Sequence, residues 1–412
     1  MARRSAPTLL ILLLVLAGCA SGGHAPAPPP RPVPVAATVP ANAAELVAAD
    51  DRFGFDLLTS PAVPATGNVA LSPASVAIAL QMVATGARGR TTGQMASVLH
   101  LPNPATTVSA ARALLGGLAA TERDGRNTLR VANTVWTQRG MPVRQAFTDT
   151  LRGTFGARPR TADFAADWQG ARQQVNRTVA GQTDGMIRQL LPPASVDGNT
   201  RLVLTNAVYL SASWARAFDR KDTAPGRFTL ADGSAVSVPM MRSTGGYGYA
   251  SGPGYQVITL AYTGGRLAFT VLLPDGSLAA LLNTVRDKGL PALLGTVRPV
   301  QIGLAMPKFT VRSALDLKQA LAGLGMTDAF GPAADFSGIT TAEPLQVSTV
   351  RHDAVVRVDE HGTVAAAATG VGIETTAGVA LIPVTVNRPF LFVITDTASG
   401  APLFLGRVTD PR

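Results

Sequence analysis

The segment RLVLTNAVYLSASW, Arg201–Trp214, is an almost continuous run of apolar and strand-forming residues. A strand that is buried on one face alternates apolar and polar side chains, whereas a run with so few interruptions is typical of a strand buried on both faces. We therefore predict that this segment is a central strand of a large sheet.

Helical patterns lie upstream of this strand, and strand patterns lie mostly downstream of it. Asn68–Leu101 predicts a helix that begins at Ser72-Pro73 and a second helix after a glycine-containing turn. Val175–Leu191 predicts a helix with a break at Gly181. The remaining patterns predict one helix, Leu315–Met326, and the strands Thr128–Gly140, Gly226–Leu230, Tyr255–Tyr262, Arg266–Pro274, Gln301–Val311, Gln346–Val358, Val384–Asp396 and Pro402–Asp410. Helices followed by strands indicate an α+β fold with large, mostly antiparallel sheets.

Composition indicates one large domain. The chain has 412 residues, of which 46% are hydrophobic and 15% charged, and this is ample for a large core. Because no second linker follows Glu45, we predict a single domain over residues 45–412. The net charge of +10 could attract nucleic acid, but no arginine cluster is interleaved with aromatics, and aromatics are only 5% of the chain. We therefore expect no nucleic-acid partner.

The N-terminus carries a targeting signal. Arg3 and Arg4 precede the apolar run Thr8–Gly18, which is too short to span a bilayer comfortably. The run ends in LAGC, which is similar to the bacterial lipobox, and Cys19 is the only cysteine. We predict a lipoprotein signal peptide over residues 1–18, lipidation of Cys19, and a Pro/Ala-rich tether over residues 19–44.

The predicted lipid implies a location. The protein would be anchored in the cell envelope, and Ala20 after the cysteine favours the outer membrane by resemblance to Gram-negative lipoproteins. The alternative is an ordinary secretory signal with an incidental cysteine, in which case the protein is secreted.

Catalytic motifs are absent from the sequence. It contains no G-x-S-x-G elbow, phosphate-binding P-loop, G-x-G-x-x-G after a strand, or H-E-x-x-H. His352 and His361 are nine residues apart, a spacing that suits no common metal motif. Spacing alone leaves open a triad that uses His352 and Asp353, because triads assemble in space. We predict that the protein is not an enzyme and uses no metal or cofactor.

One long segment has an unusual composition. DEHGTVAAAATGVGIETTAGVALIP, Asp359–Pro383, is small and nearly uncharged, and Glu374 is its only charged residue after His361. Alanine favours helix, but the glycine and β-branched neighbours do not. The segment is therefore not clearly a helix, a strand or an ordinary polar loop.

From about Glu45 to its end, the chain resembles the serpins, the antitrypsin-like protease inhibitors. Several motifs occur in the family's order, namely Asn68–Leu101, Leu202–Asp219, Phe228–Met241, Met306–Val311, Ala334–Thr340, Val384–Ile394 and Pro402–Pro411. The resemblance implies a monomer with the serpin fold, in which N-terminal helices pack on large, mostly antiparallel sheets and a reactive-centre loop is exposed.

The resemblance also implies a mechanism. A serine protease attacks the loop and forms a covalent acyl complex, and the cleaved loop then inserts as a new strand into the main sheet and traps the enzyme. The unusual segment is similar to the family's hinge, E-x-G-T-x-A-A-x-A-T, here Glu360, Gly362, Thr363, Ala365, Ala366, Ala367, Ala368 and Thr369. The sequence departs from the pattern at His361 and Val364, and Gly370 and Gly372 add flexibility.

The alternation of the segment supports insertion independently. One face of a strand here would carry only uncharged residues, namely Thr363, Ala365, Ala367, Thr369, Val371, Ile373 and Thr375. A strand that enters between two others buries both faces, where an unpaired charge would cost several kcal/mol. The alternative is a flexible Ala/Gly-rich surface loop.

Family spacing, counted from Glu360, places the scissile bond at Thr376–Ala377, and a one-residue error gives the bonds within 375–378. The small neutral residues there suit elastase-like or subtilisin-like proteases with a small primary pocket. A non-inhibitory serpin, acting as a carrier or chaperone, is the second reading.

Supporting residues follow from the same resemblance. Four match the family's shutter, a polar cluster beneath the main sheet: Ser72, Ser75, Asn206 and His352. Trp214 matches the breach, where the loop enters the sheet, and Lys308 matches the partner of the hinge carboxylate Glu360. In each case the alternative is core packing or a surface ion pair of little energetic value.

Overall fold

The computed structural model describes residues 41–101, 127–363 and 381–412, together with Val108, Leu115 and Ala119. These residues all fall within one compact unit, Pro32–Arg412. The helices of this described part are α1 Ala41–Thr59, α2 Pro73–Ala84, α3 Gly89–Val98, α4 Gln145–Phe155, α5 Phe164–Gln182, α6 Leu278–Lys288, α7 Leu290–Leu294 and α8 Lys318–Gly323.

The strands form two sheets. They are β1 Val69–Leu71, β2 Asn127–Gln138, β3 Arg160–Ala162, β4 Leu202–Ser213, β5 Ala224–Thr229, β6 Ala235–Gly252, β7 Tyr255–Ala261, β8 Leu267–Pro274, β9 Arg298–Pro307, β10 Phe309–Asp316, β11 Thr349–Val358, β12 Gly362–Thr363, β13 Ile382–Thr385, β14 Phe390–Asp396 and β15 Pro402–Val408. The nine-stranded sheet has the order β1-β15-β14-β8-β7-β6-β9-β13, with β5 paired to β6. The six-stranded sheet has the order β10-β11-β12-β4-β2-β3, and β11 also pairs directly with β4.

The predicted α+β class is confirmed. Most described strand pairs are antiparallel; the parallel pairs are β2 with β3, β4 with β11, and β9 with β13. The central strand predicted from Arg201–Trp214 is β4, and ten of its twelve residues are buried.

Local sequence explains where several helices begin and end. The predicted helix after Ser72 is α2, which has Pro73 in its first turn, where the missing amide hydrogen costs nothing. The side chain of Asp163 accepts a hydrogen bond from the amide of Ala166 and so caps α5. Helix α4 ends at Gly156, which adopts the left-handed conformation at φ 63°.

The helix predicted over Val175–Leu191 is wrong beyond Gln182. The chain leaves the helix through Asp184 and Gly185, both of which have positive φ. The side-chain amide of Asn176 then pairs with both the amide and the carbonyl of Leu191, at 2.8 and 2.9 Å, and so folds the following segment back along α5.

Two predicted strands are each divided. Gln301–Val311 forms the end of β9 and the start of β10, which belong to different sheets, and the break follows Pro307, which has no amide hydrogen to donate. Val384–Asp396 contains β13 and β14, and Pro389 ends the gap between them. The second half of β6 was not predicted, because Ser243–Gly252 is glycine-rich and lacks alternation.

Two main layers of core position the sheets. One apolar cluster lies between the inner faces of the two sheets and includes Val208, Val356, Phe269 and Phe392. A second cluster lies among the helices and includes Phe53, Leu80 and Phe147. Within the described ranges, the search for a helix long and apolar enough to cross a membrane found none.

Candidate functional site

Two parallel neighbours stand in the middle of the six-stranded sheet. Strands β4 and β11 pair directly from Val203 with Thr349 to Tyr209 with Val355. Beyond Tyr209 the direct pairing ends, and the two-residue strand β12 lies between them, antiparallel to both. Thr363 pairs with Val358 on one side and with Ala212 on the other. The sheet therefore already accommodates the first residues of the predicted hinge.

Gly362 is required by a close backbone approach. Its φ is +154°, and a Cβ atom at this position would lie 2.0 Å from the carbonyl oxygen of Ala212. Any side chain here would collide with β4 and force β12 out of the sheet. This close contact explains the glycine in the hinge pattern.

Thr363 is fully buried and is held by an aromatic pair. Its hydroxyl is hydrogen-bonded to the hydroxyl of Tyr262 at 2.5 Å, and the Tyr262 ring stacks on Trp214 with centroids 4.6 Å apart. The Trp214 indole donates a hydrogen bond to the carbonyl of Asp359 at 2.9 Å. Burial raises the pKa of Tyr262, so its hydroxyl stays neutral and keeps its hydrogen.

Backbone hydrogen bonds fix the residues between Asp359 and Thr363, the two residues that Trp214 and Tyr262 bind. The amide of Trp214 donates to the carbonyl of His361 at 2.9 Å, and the amide of Phe218 donates to the carbonyl of Glu360 at 2.9 Å. The described part of the hinge is therefore held at every residue from Asp359 to Thr363.

The Glu360 carboxylate lies in a polar pocket and its side chain is 4% exposed. Lys308 Nζ lies 2.8 Å from Oε2 and 3.1 Å from Oε1, and the hydroxyl of Thr223 donates to Oε1 at 2.9 Å. Burial pushes the pKa of Glu360 upward, but the hydrogen bonds from Lys308 and Thr223 outweigh it, so this pKa lies below its ordinary value.

The four predicted shutter residues lie together beneath β4 and β11. The amide of Ser72 donates to His352 Nε2 at 3.1 Å, and His352 Nδ1 is hydrogen-bonded to Asn206 Oδ1. The Asn206 amide donates to Ser75 Oγ at 2.5 Å and to Asn133, which the sequence analysis did not identify.

The hydrogen bonds define the state of His352. Because its Nε2 accepts from a backbone amide, the proton is on Nδ1 and the ring is neutral. Burial lowers the pKa of His352 to about 3, in agreement with this tautomer. A proton added at Nε2 would break the bond to Ser72.

The triad that spacing left open does not form. His352 faces the core and both of its nitrogens are occupied, whereas Asp353 lies on the opposite face of β11 and pairs with Arg312 at 2.9 Å. Burial raises the pKa of Asp353, although Arg312 opposes this effect. Among the residues that the structure describes, no group of three or more metal-ligating side chains comes together.

Several predicted residues lie outside the described part of the chain. They are Cys19, Ala365, Ala366, Ala367, Ala368, Thr369, Thr376 and Ala377. Conversely, sequence reasoning missed Tyr262, Thr223 and Asn133. Tyr262 ends a predicted strand, but neither that position nor any motif connects it to a hinge 101 residues away.

Comparisons with known proteins agree with this geometry. A sequence profile of the family described as "Serpin (serine protease inhibitor)" matches residues 48–411. The human leukocyte elastase inhibitor is 33% identical over 385 residues, which cover 89% of this chain and all of the relative. An uncharacterized serpin-like protein of Thermococcus kodakarensis is also 33% identical, over 89% of this chain and 86% of the relative.

Solved structures have the same fold. The crystal structure of Serpin48, described as a highly specific serpin of the insect Tenebrio molitor, superposes with a TM-score of 0.80 at 27% identity and covers 89% of this chain and 98% of the other. Native Tengpin, a thermophilic serpin, gives a TM-score of 0.80 at 26% identity, covering 88% and 94% of the two chains.

Proposed function

The chain belongs to the serpin family, and we propose that it is a suicide inhibitor of a serine protease. The protease cleaves the reactive loop and becomes acylated, and insertion of the cleaved loop between β4 and β11 then traps the acyl-enzyme. The observation that carries this proposal is the two-residue strand β12, which lies antiparallel between two strands that are parallel to each other.

The register of β12 supports continued insertion. Extended along both neighbours, it would bring Thr369 opposite His352 on β11 and opposite Asn206 on β4. His352 and Asn206 are already partners in the direct pairing of these two strands. The two ladders therefore agree on where each inserted residue would lie, so a growing strand could separate β4 from β11 without a change of register.

The faces of the inserted strand also match the sequence. Thr363 faces the core side with Tyr262, so every second residue from Thr363 onward would face that side too. At the shutter, the hydroxyl of Thr369 would arrive beside His352 and Asn206 and could replace the hydrogen bond that insertion breaks between them.

The number of backbone hydrogen bonds favours insertion of a strand between β4 and β11. Each direct β4–β11 contact uses one side of each strand, and an inserted strand replaces this single ladder with two ladders. Each backbone amide hydrogen bond contributes about 1 kcal/mol net, and insertion also buries the small side chains of the loop. These gains would drive displacement of the attached protease.

The predicted scissile bond supports a target with a small primary pocket. Thr376–Ala377 and the neighbouring bonds of 375–378 have only small neutral residues, whereas trypsin-like enzymes need Arg or Lys before the bond. A relative named leukocyte elastase inhibitor points to the same class. We infer an elastase-like or subtilisin-like serine protease.

The location is also a proposal. The lipobox supports a lipid on Cys19 and a tether over residues 19–44 that holds the inhibitor in the cell envelope, at the outer membrane. If Cys19 is incidental, the protein is secreted.

The test is incubation of the purified protein with pancreatic elastase and, in parallel, with trypsin. We expect an SDS-stable complex of inhibitor plus protease with elastase and none with trypsin. If elastase cuts the loop but no complex survives, the non-inhibitory reading, a carrier or chaperone, replaces the proposal.

A further inference from the structure

A cavity of about 320 Å³ lies in the helical layer, among α2, α3 and α4. Gln81 contributes to its lining from α2, Thr92 and Ala96 contribute from α3, and Phe155 contributes from the end of α4. None of the described residues that line it belongs to the hinge, the shutter or the breach. The cavity is therefore distinct from the path proposed for loop insertion.

The lining combines apolar side chains with a few polar ones. Ala84 ends α2, Ala87 lies between α2 and α3, and Leu101 follows α3. Binding sites for small molecules are mostly apolar clefts of about 300–1,000 Å³ that contain a few well-placed polar groups. The cavity is at the small end of this range and would fit a compact organic molecule.

Gln81 is the unusual residue in this lining. Its side chain is buried, with the residue 4% exposed, and neither Nε2 nor Oε1 forms a hydrogen bond within the part of the chain that the structure describes. A side-chain amide offers both donor hydrogens and an acceptor oxygen, and burying these groups without partners is unfavourable. The wall of the cavity therefore carries a donor and an acceptor side by side, both unsatisfied.

The hydroxyl of Thr92 is a second unsatisfied group. Its oxygen is buried and has no hydrogen-bond partner among the described residues. The other two hydroxyls of the lining are paired, since those of Thr85 and Thr150 each donate to a carbonyl of the preceding helical turn, at 2.7 and 2.8 Å. Gln81 and Thr92 are therefore the groups that a ligand would complete.

We propose that this cavity binds a small neutral molecule that carries a primary amide group. The carbonyl of the ligand accepts a hydrogen bond from Gln81 Nε2, and one of its N–H groups donates to Gln81 Oε1. Its second N–H donates to the hydroxyl of Thr92. The apolar body of the ligand fills the space beside Ala96, Leu101 and Phe155.

Charged ligands of the same shape would fit this site less well. A carboxylate has no hydrogen to donate to Gln81 Oε1, and it would lose its hydration on entering the cavity. Arg88 also lines the cavity, but it is exposed, and its Nη1 already donates to the carbonyls of Thr85 and Ala87. A protonated amine would leave Gln81 Nε2 without an acceptor.

Matched probes test the requirement for both a donor and an acceptor. We would measure calorimetric binding of 4-methylbenzamide, 4′-methylacetophenone and 4-methylbenzoate to the purified protein at pH 8. The amide and the ketone have the same shape, but only the amide can donate to Gln81 Oε1. The amide should therefore bind about fivefold more tightly than the ketone. The benzoate should bind more weakly than either.

The variant Gln81→Met locates the site. It keeps the length of the side chain but removes both polar groups, so the amide should lose its advantage over the ketone. The variant should fold, because an apolar side chain replaces a buried amide that has no partner. A thermal melt checks this, and its Tm should be no lower than that of the wild type.

Two further variants examine the rest of the lining. Thr92→Val keeps the shape of the side chain but removes the hydroxyl, so the affinity for the amide should fall at least about twofold. Ala96→Phe fills the cavity from α3 and should abolish binding of both the amide and the ketone. Thermal melts check that both variants are folded, and Gln81→Met carries the test if Ala96→Phe is not.

Several outcomes would overturn the proposal. They are equal binding of the amide and the ketone, an amide preference that survives in Gln81→Met, an amide affinity unchanged in Thr92→Val, strongest binding by the benzoate through Arg88, and no amide binding at millimolar concentration. None of these measurements uses a protease, so the result is independent of the proposed inhibition.

Discussion

The hydroxyls of Tyr262 and Thr363 are hydrogen-bonded to each other in a fully buried position between β4 and β11. Thr363 thus occupies the first step of the insertion path before any cleavage. Because Trp214 stacks on Tyr262 and also binds the carbonyl of Asp359, the same aromatic pair holds both ends of the described hinge.

Thr363→Arg should convert the inhibitor into a substrate. Thr363 is fully buried between Val358 and Ala212, and burying an unpaired charge costs several kcal/mol. Insertion should therefore begin slowly, and the protease should complete deacylation before it is trapped. We expect a cleaved band on a denaturing gel and little or no covalent complex.

Thr363→Ser is the matched control, since it keeps the hydroxyl that binds Tyr262. It should form the complex nearly as well as the wild type. Undiminished inhibition by Thr363→Arg would exclude loop insertion as the mechanism.

Cleavage of the loop should stabilise the protein. About twelve residues, Val364–Thr375, would gain ladder hydrogen bonds at about 1 kcal/mol each, and ordering them costs about 1–2 kcal/mol each. Burial and relief of strain must supply the surplus. A surplus of about 5 kcal/mol would raise Tm by roughly 6 °C for a domain of this size.

The measurement is a pair of thermal melts, before and after a single cut within 370–380. A cut within residues 19–40, the part of the predicted tether that precedes α1, serves as the control and should leave Tm unchanged. An unchanged Tm after the loop cut would indicate a relaxed, non-inhibitory serpin.

If the pairing of β12 with β4 continues along the inserted loop, it predicts a salt bridge that exists only after insertion. Glu374 would arrive beside Arg201, on the same face of the sheet, since the ladder of β12 with β4 leads there. Glu374→Arg should lower the Tm of the cleaved protein by about 1 °C, the size expected for a partly exposed pair near 1 kcal/mol. The uncleaved protein should be unaffected.

The double variant Glu374→Arg with Arg201→Glu should restore the Tm of the cleaved form. Arg201 Nε lies 3.5 Å from Glu343 Oε2 in the present structure. The Tm of the single variant Arg201→Glu is therefore needed to correct the Tm of the double variant for the loss of that pair. A cleaved form insensitive to Glu374→Arg would mean a different insertion register.

The buried shutter histidine should make stability depend on pH. The pKa of His352 is about 3 in the folded protein and 6.5 when unperturbed, so the unfolded chain binds a proton first as pH falls. The stabilisation by neutral His352 is therefore complete above pH 6.5 and is lost toward pH 3, by about 1.4 kcal/mol per pH unit.

Urea unfolding of the wild type and His352→Gln from pH 7.5 to 4.5 would measure this effect. The glutamine can still accept from Ser72 and donate to Asn206, but it does not titrate. Burial raises the pKa values of Asp50 and Asp51, so their protonation stabilises the folded protein as pH falls, opposite to the effect of His352. Both carboxyl groups are present in the wild type and in the variant, so their contribution cancels in the difference between the two. Equal slopes for the two proteins would contradict the assignment.

Lipidation is tested at Cys19. Mass spectrometry of the protein purified from its native membranes should find the mature N-terminus at Cys19 with lipid attached. Cys19→Ala should yield a soluble or unprocessed precursor, while Ser21→Ala should remain in the membrane fraction. An unmodified mature N-terminus at another residue would refute the anchor.

Sequence patterns predicted those parts of the fold in which apolar residues recur regularly or form a continuous run, or in which a helix start has characteristic residues. The apolar run of β4 and the Ser72-Pro73 helix start each identify an element from local residues alone. The second half of β6 has no such signal, because glycines that make close contacts across the sheet carry neither apolarity nor alternation.

The site depended more on resemblance than on local pattern. Lys308 and Glu360 are 52 residues apart, and only the family motif suggested the ion pair that the structure places at 2.8 Å. Tyr262 and Asn133 could not be found in this way, since their roles arise from the approach of distant strands. Such hydrogen bonds can be recognised only when the three-dimensional positions of the strands are known.

The parallel register of β4 and β11 also constrains how the loop can evolve. One residue inserted or deleted between Thr363 and Thr369 would exchange the two faces of the strand beyond that point and remove Thr369 from the polar cluster, although every remaining residue stayed the same. Among related sequences, the length of this stretch should therefore vary less than its composition, while the segment after Glu374 is free to lengthen. Selection would then act on the number of residues in the loop as well as on their identity.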